Sequence, residues 1–530
     1  LKEFGMRRWF LSLAVLVCCA SVALADVKLH GLFTDHMVLQ QKTTVPVWGQ
    51  ADPDEKVTVT IQGKKATATA DAKGKWMAKL ENLEPGGPFE MTVEGKNSVK
   101  LADVLVGEVW ICSGQSNMQW TVSQSKDPKE TIAAAANPNL RLFQQRQVTS
   151  GKPLDYTQTS DAWKQWRVAA PESVPGFSAV AYHFGQSLQK ARNVPVGVIH
   201  TSWGGTPAEA WTSPEFLEKT PEVAHYLKNL KVAQDNWENN QESINKNFEE
   251  QKKKYDAEAE KLRAENKKVP AAPRKPQNPN SNPNTPTVLY NAMINPMIPF
   301  AIKGAIWYQG ESNAGRAYEY RTLFPTMIQS WRAAWGYDFP FLFVQLAPFM
   351  DISKQPQDSN WAELREAQLL TSLKLAGTAQ AVITDTTDAK TDQKDIHPKN
   401  KQPVGERLAL AARQKVYGEK IVGTGPLFEK LTIEGDKAIL HFTSIGSGLE
   451  CKGSELTGFT IAGEDKKFHN ATATIKGDTI VVTSDAVKQP VAVRFGWSNY
   501  PVVNLFNKEG VPASPFRTDE WPGTTWPKTR

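Results

Sequence analysis

In the segment Gly107-Glu-Val-Trp-Ile-Cys-Ser-Gly-Gln-Ser-Asn-Met-Gln-Trp120, the side chain placed to do chemistry is Ser116, two positions after Gly114. The apolar run 104–111 stops abruptly at small and polar residues, which predicts a buried strand ending in a tight turn that presents the Ser116 hydroxyl. Gly114 lets the backbone turn with no Cβ clash, and the N–H groups beside Ser116 can face a developing oxyanion. That suits acyl transfer: a hydroxyl attacks a carbonyl, a base takes its proton, and N–H donors hold the tetrahedral oxygen. Gly-x-Ser turns are common in themselves, so the reading needs partners elsewhere in the chain.

Three further blocks offer such partners. Ser202-Trp-Gly-Gly-Thr-Pro-Ala-Glu-Ala-Trp211, Trp307-Tyr-Gln-Gly-Glu-Ser-Asn-Ala314 and Asp395-Ile-His-Pro398 follow in that order, each after a predicted strand. Ser, Gly, Asn and His delivered in this order resemble the SGNH hydrolases, and the wording of the blocks resembles the sialate O-acetylesterase family of carbohydrate esterases. The resemblance extends to Arg494-Phe-Gly-Trp-Ser-Asn-Tyr-Pro501 and Asn504-Leu-Phe-Asn507. It implies an α/β fold with an SGNH-type parallel sheet flanked by helices, and a serine esterase that removes O-acetyl groups from carbohydrates with no metal and no organic cofactor. Sialic acid is the sugar that the family name implies. Acetylated xylan or xyloglucan of plant polysaccharide is the alternative, and an inactive carbohydrate-binding protein is the alternative of another class.

On this resemblance Ser116 is the nucleophile and His397 the base. The expected oxyanion donors are the N–H of Ser116, an N–H in the Gly204–Gly205 turn, with Gly204 favoured, and the side-chain amide of Asn313, which donates without competing as a nucleophile. The wider pattern places Asp three residues before the His, where this chain has Lys394. Asp395 is the first choice to orient the imidazole, Asp392 and Asp385 are the others, and a Ser–His dyad held by a backbone carbonyl is a further possibility. Trp120, Trp203, Trp211, Trp307 and Tyr308 flank the blocks, where aromatic faces can stack on a sugar ring or simply fill the core. Gln115, Trp203, Glu311 and Trp307 are the expected substrate contacts, with turn shaping the other role open to Glu311.

Positioning four blocks takes several elements, and 530 residues are enough for two or three domains. Residues 26–103 alternate apolar and polar in short runs separated by Gln62-Gly63, Lys73-Gly74 and Pro85-Gly86-Gly87, which predicts an N-terminal β-sandwich that braces its neighbour. Residues 104–425, the expected esterase domain, alternate helical and apolar strand patterns, as a covered parallel sheet does. An insertion, 221–286, opens with a Glu/Lys/Gln/Asn-rich helix whose Leu230, Trp237, Ile244, Phe248, Tyr255 and Leu262 form a coiled-coil-like seam, and it closes in a Pro/Asn-rich linker. Residues 426–530 return to β patterns, with Gly435-Asp436 and Gly477-Asp478 as hairpin turns.

Net charge is +6, with 62 Lys and Arg against 56 Asp and Glu, scattered rather than striped, so no nucleic-acid partner is expected. Cys112 and Cys451 lie in separate predicted domains, and neither Cys-x-x-Cys nor His-Glu-x-x-His spacing occurs, so neither a disulfide framework nor a metal site is expected. Arg7 and Arg8 precede an apolar stretch ending in Ala23-Leu24-Ala25. This is the pattern of a secretory signal cleaved near Ala25, so residues 1–25 read as signal peptide and upstream residues, with a secreted or periplasmic product and no membrane anchor after cleavage. The expected partner is an O-acetylated carbohydrate, and the sequence sets no oligomeric state.

Overall fold

The computed structural model describes residues 26–527, so the expected signal segment lies outside the described residues. The elements that matter for the site are β1 (Ser98–Gly114), β2 (Asn137–Gln144), β3 (Arg167–Ala169), α1 (Ala179–Arg192), β4 (Val196–Ser202) and α2 (His225–Ala264). After them come β5 (Gly304–Tyr308), α3 (Ala317–Trp335), β6 (Phe341–Val344), α4 (Asn360–Lys374), β7 (Thr378–Ala381) and α5 (Gln402–Lys415).

The strand order is β3-β2-β4-β1-β5-β6-β7. Only the edge pair β3–β2 is antiparallel; the remaining neighbours are parallel. Strands β4, β5, β6 and β7 are buried along their whole length, and β5 and β6 accordingly read as continuous apolar runs rather than alternating ones. Side chains alternate between two cores. Trp307, Phe341 and Phe343 face α3 and α4, whereas Ile306, Tyr308, Leu342 and Val344 face α1 and α5. The structure is thus the α/β class expected, a large mixed sheet flanked by helices with β-rich regions before and after it.

β1 is the spine of the molecule. Its first half pairs antiparallel with Gly86–Glu94 of the N-terminal β-region, and its second half pairs in parallel with β4 and β5. Burial along it changes from alternating to continuous at Val104, the point where solvent gives way to a second covering layer. The N-terminal region adds a three-stranded sheet of Lys28–Leu29, Val45–Gln50 and Lys75–Leu80, and the last of these alternates exposed and buried without a break.

The insertion carries the 40-residue helix α2. All six seam residues are at least partly covered. The Pro/Asn-rich chain folds back along the seam: Tyr255 Oη donates to the Pro270 carbonyl at 2.8 Å, and Gln234 Nε2 donates to Asn280 Oδ1 at 2.8 Å. Proline cannot donate to a ladder, so this return packs as an extended strap.

The C-terminal region forms two four-stranded sheets and a two-stranded one, and its end returns to α4. Arg365, fully buried, donates to the carbonyls of Ser498 at 2.8 Å and Asn499 at 2.9 Å, and Glu363 accepts from the backbone N–H groups of Thr524 and Thr525. Cys112 and Cys451 are free thiols. Among the described residues no helix is long and apolar enough to cross a membrane.

Candidate active site

β1 sits between β4 and β5, where the strand order reverses, and the crevice outside the carboxyl ends of strands at such a point is where open α/β sheets present reactive groups. Here β1 leads to Ser116, β4 to Gly204 and β5 to Asn313.

Ser116 opens a one-turn helix, Ser116–Gln119, directly after the β1 turn. Gly114 has φ +139°, and a Cβ there would meet the Tyr308 carbonyl, 2.7 Å from its carbon and closer still to its oxygen. The turn is pinned on both sides: Gln115 N–H donates to the Tyr308 carbonyl at 3.0 Å, and Trp203 N–H donates to the Gly114 carbonyl at 3.1 Å. The first N–H groups of a helix have no intrahelical acceptor, which leaves the Ser116 N–H available beside its own hydroxyl.

His397, 281 residues further on, places Nε2 2.8 Å from Ser116 Oγ. Its ring lies on Trp120, with centroids 5.0 Å apart and planes 18° from parallel. Asn117 Nδ2 donates to the Ile396 carbonyl at 3.0 Å and to Glu311 Oε1 at 2.6 Å, so the residue after Ser116 holds the loop of His397. Burial, then the neighbouring Lys401 cation, lowers the imidazole pKa below its ordinary value, while Asp395 pulls the other way. A ring that is neutral near pH 7 with Nε2 on a serine hydroxyl is poised to act as a base.

Of the three aspartates, Asp395 is the one beside His397. Its Oδ1 lies 3.7 Å from Nδ1, beyond hydrogen-bond reach, and accepts instead from the His397 backbone N–H at 2.9 Å. Asp385 is held by both arms of Arg407 at 2.6 and 2.7 Å, and Asp392 caps the exposed turn at Asp388.

Three of the expected site residues have partners within the protein itself. Trp307 is fully buried, packed edge-on against Trp211 and Trp331 at 5.9 Å, because alternation along β5 turns it toward α3 and away from solvent. Glu311 directs its carboxylate inward to Asn117, and burial raises its pKa. The Gly204 N–H donates to Gln119 Oε1 at 2.8 Å, so an oxyanion bound there must replace that oxygen, whereas Gly205, at φ +78°, stands exposed at the turn. Gln115 is buried, with Oε1 accepting from Ser312 N–H at 3.3 Å, and Trp203 is partly covered at the rim.

Asn313 is buried in a network of its own. Oδ1 accepts from Ala208 N–H at 2.9 Å and Gln309 Nε2 at 2.6 Å, and Nδ2 donates to Glu209 Oε2 at 3.0 Å. Glu209 in turn accepts from Arg316 at 2.8 Å. One Asn313 N–H is thereby committed, and a carboxamide carries two.

Sequence reasoning missed Gln119, Asn117 and Lys401. Asn117 had a signal in its place next to Ser116; Lys401 follows Lys399 and Asn400 and reads as a solvated charge, although its ammonium is buried. The structure also holds a second Ser–His pair, His200 Nε2 to Ser202 Oγ at 2.7 Å, on one face of β4. Both residues are buried, and burial pulls His200 down to about 4, which makes the pair a packing feature without access for a reactant. Among the described residues no cluster of His, Cys, Asp or Glu could hold a metal ion.

Residues 106–265 and 279–414 match the family model described as carbohydrate esterase, sialic acid-specific acetylesterase. The chain is 31% identical to the mouse sialate O-acetylesterase over 503 residues, 88% of each chain, and 31% identical to the human one over 532 residues, 92% of each. A crystal structure of a carbohydrate acetylesterase from Xanthomonas citri is similar with a TM-score of 0.78 at 38% identity, covering 94% of this chain and 100% of that one.

Proposed function

This chain belongs to the sialic acid-specific acetylesterase family of carbohydrate esterases, and from that premise we propose that it removes O-acetyl groups from carbohydrate through an acyl-enzyme on Ser116. The observation that carries the proposal is the 2.8 Å contact between Ser116 Oγ and His397 Nε2 at the carboxyl end of β1. Ser116 Oγ attacks the acetyl carbonyl carbon while its proton passes to His397 Nε2. The oxyanion is held by the Ser116 N–H, a backbone N–H of the Gly204–Gly205 turn and the free N–H of Asn313. Collapse of the tetrahedral intermediate breaks the bond to the sugar oxygen, which leaves with the proton from His397. Water, deprotonated by His397, then attacks acetyl-Ser116; acetate leaves and Ser116 takes the proton back.

Asp395 orients the loop of His397 through the backbone N–H and stabilises the imidazolium across 3.7 Å. With no hydrogen bond to Nδ1, Asp395→Asn is expected to lower kcat by about 10- to 100-fold, well short of the ~10⁴-fold loss where an aspartate holds the histidine directly. Steady-state kinetics on 4-nitrophenyl acetate measures this. Unchanged turnover reduces Asp395 to a turn residue and leaves a dyad; a ~10⁴-fold loss means the gap closes to a hydrogen bond on substrate binding.

Acetate release from O-acetylated sialic acids, acetylxylan and acetylated xyloglucan, with Ser116→Ala as control, assigns the sugar. Ser116-dependent release from the sialic acids alone supports a sialate esterase, and release from the polysaccharides alone supports the plant-glycan reading. No release from any of them by folded protein refutes the proposal. Export follows from residues 1–25, and a secreted product beginning at Asp26 in N-terminal sequencing is the expected result.

A further inference from the structure

Behind the Ser116–His397 contact lies a charged group that the mechanism above does not use. Lys401, one residue before α5, is buried at 1% exposure. Its ammonium donates to Asn117 Oδ1 and lies 5.8 Å from the centre of the Trp120 ring and 5.3 Å from that of Tyr308. Asn117 and Trp120 are the two side chains that grip the His397 loop, the first through the Ile396 carbonyl and the second through the stacked imidazole. The far side of the Asn117 amide is tied to Glu311, whose other oxygen, Oε2, is buried without a hydrogen-bond partner. A buried ammonium is costly to keep in a packed core unless surrounding groups use it.

We propose that Lys401 is a positioning residue of the esterase site: through Asn117 and Trp120 it holds the His397 loop against Ser116, and its charge acts on an imidazole whose Nδ1 Asp395 does not hydrogen-bond. This rests on the reading of His397 as the base. The ionisable groups facing Lys401 are Glu311 from the loop after β5, Asp395 and His397 from its own loop, and the Tyr308 phenol from β5. Burial lowers Lys401 to about 7, against the pull of Glu311 and Asp395. While charged, it opposes protonation of His397 and so preserves the free base toward lower pH.

The test is kcat/KM for 4-nitrophenyl acetate from pH 4.5 to 9 in the full chain, comparing wild type with Lys401→Met and Lys401→Gln. Removing the cation is expected to move the acid limb upward by about one pH unit. Lys401→Met is also expected to lose about 10- to 100-fold in kcat through the loosened loop. Lys401→Gln keeps a donor for Asn117 without the charge, so it should show the same acid limb with a smaller loss in rate. If Lys401→Met has no cooperative thermal transition, the glutamine variant decides. Wild-type acid limbs in the folded variants overturn the proposal, because a purely structural lysine alters rate and not the pH profile. Failure of the His397 reading is seen separately: the wild type would then not be labelled at Ser116 by a fluorophosphonate.

Discussion

Replacing Ser116 by alanine is expected to reduce turnover of O-acetyl esters by about 10⁵- to 10⁶-fold while leaving the fold intact. The magnitude follows from what the hydroxyl does: without Oγ no acyl-enzyme forms, and the residual rate comes from the oxyanion donors acting on water. Stability should hardly change. The side chain is partly exposed, and its hydroxyl is hydrogen-bonded to His397 at the rim of the site, so a change within about ±0.5 kcal/mol is expected. Acetate release, thermal unfolding and fluorophosphonate labelling together check this. Ser116→Ala with turnover near the wild-type value would remove the nucleophile from the mechanism and direct attention to another hydroxyl. Ser202 is a poor substitute, since it is buried against His200.

Gly114→Ala is expected to cost on the order of 3 kcal/mol and most of the activity at the same time. Two effects add at this position. The backbone sits at φ +139°, where a side chain is strained, and the new Cβ would overlap the carbonyl of Tyr308, a backbone group of β5 that cannot rotate aside. Relief requires β1 to separate from β5 or the Ser116 turn to swing outward, and a shift of 1 Å at the reacting group costs about 10²-fold in rate. The measurement is paired: the midpoint of thermal unfolding and kcat on one preparation. An alanine variant with both unchanged would mean that the elbow tolerates a conformation other than the one seen. By contrast, Gly205 has φ +78° with no heavy atom within 4 Å of an added Cβ, so the same change there strains the backbone without displacing Ser116.

How legible the molecule was depends on the range of the interaction. Local patterns carried the strands: the apolar run 104–111 lies inside β1, alternation appears in Lys75–Leu80, and Gly435 and Gly477 turn at positive φ as hairpin glycines do. The seam of α2 was readable for the same reason, since the spacing of its apolar residues is a property of one helix. Its covering element was not, because an extended strap has no periodicity to announce it. Trp307 shows the limit inside a strand: sequence places it beside the third block, but which face of β5 looks toward α3 is decided only once the helices are docked.

The same division runs through the site. By itself the sequence determined the reactive residue types, the turn that displays Ser116, and the resemblance that linked it to a histidine 281 positions away. Only the tertiary structure decided that His397 Nε2 lies 2.8 Å from Ser116 Oγ, that Asp395 stops at 3.7 Å and serves the backbone, and that the Gly204 N–H is engaged by Gln119. Only there, too, does Lys401 turn from a surface-type residue into a buried cation among Asn117, Trp120 and Tyr308. The reason is physical. Residue type and local spacing set backbone preference and chemical capability, whereas hydrogen-bond partnership and desolvation depend on which distant groups share a packed crevice, and these set protonation and reach.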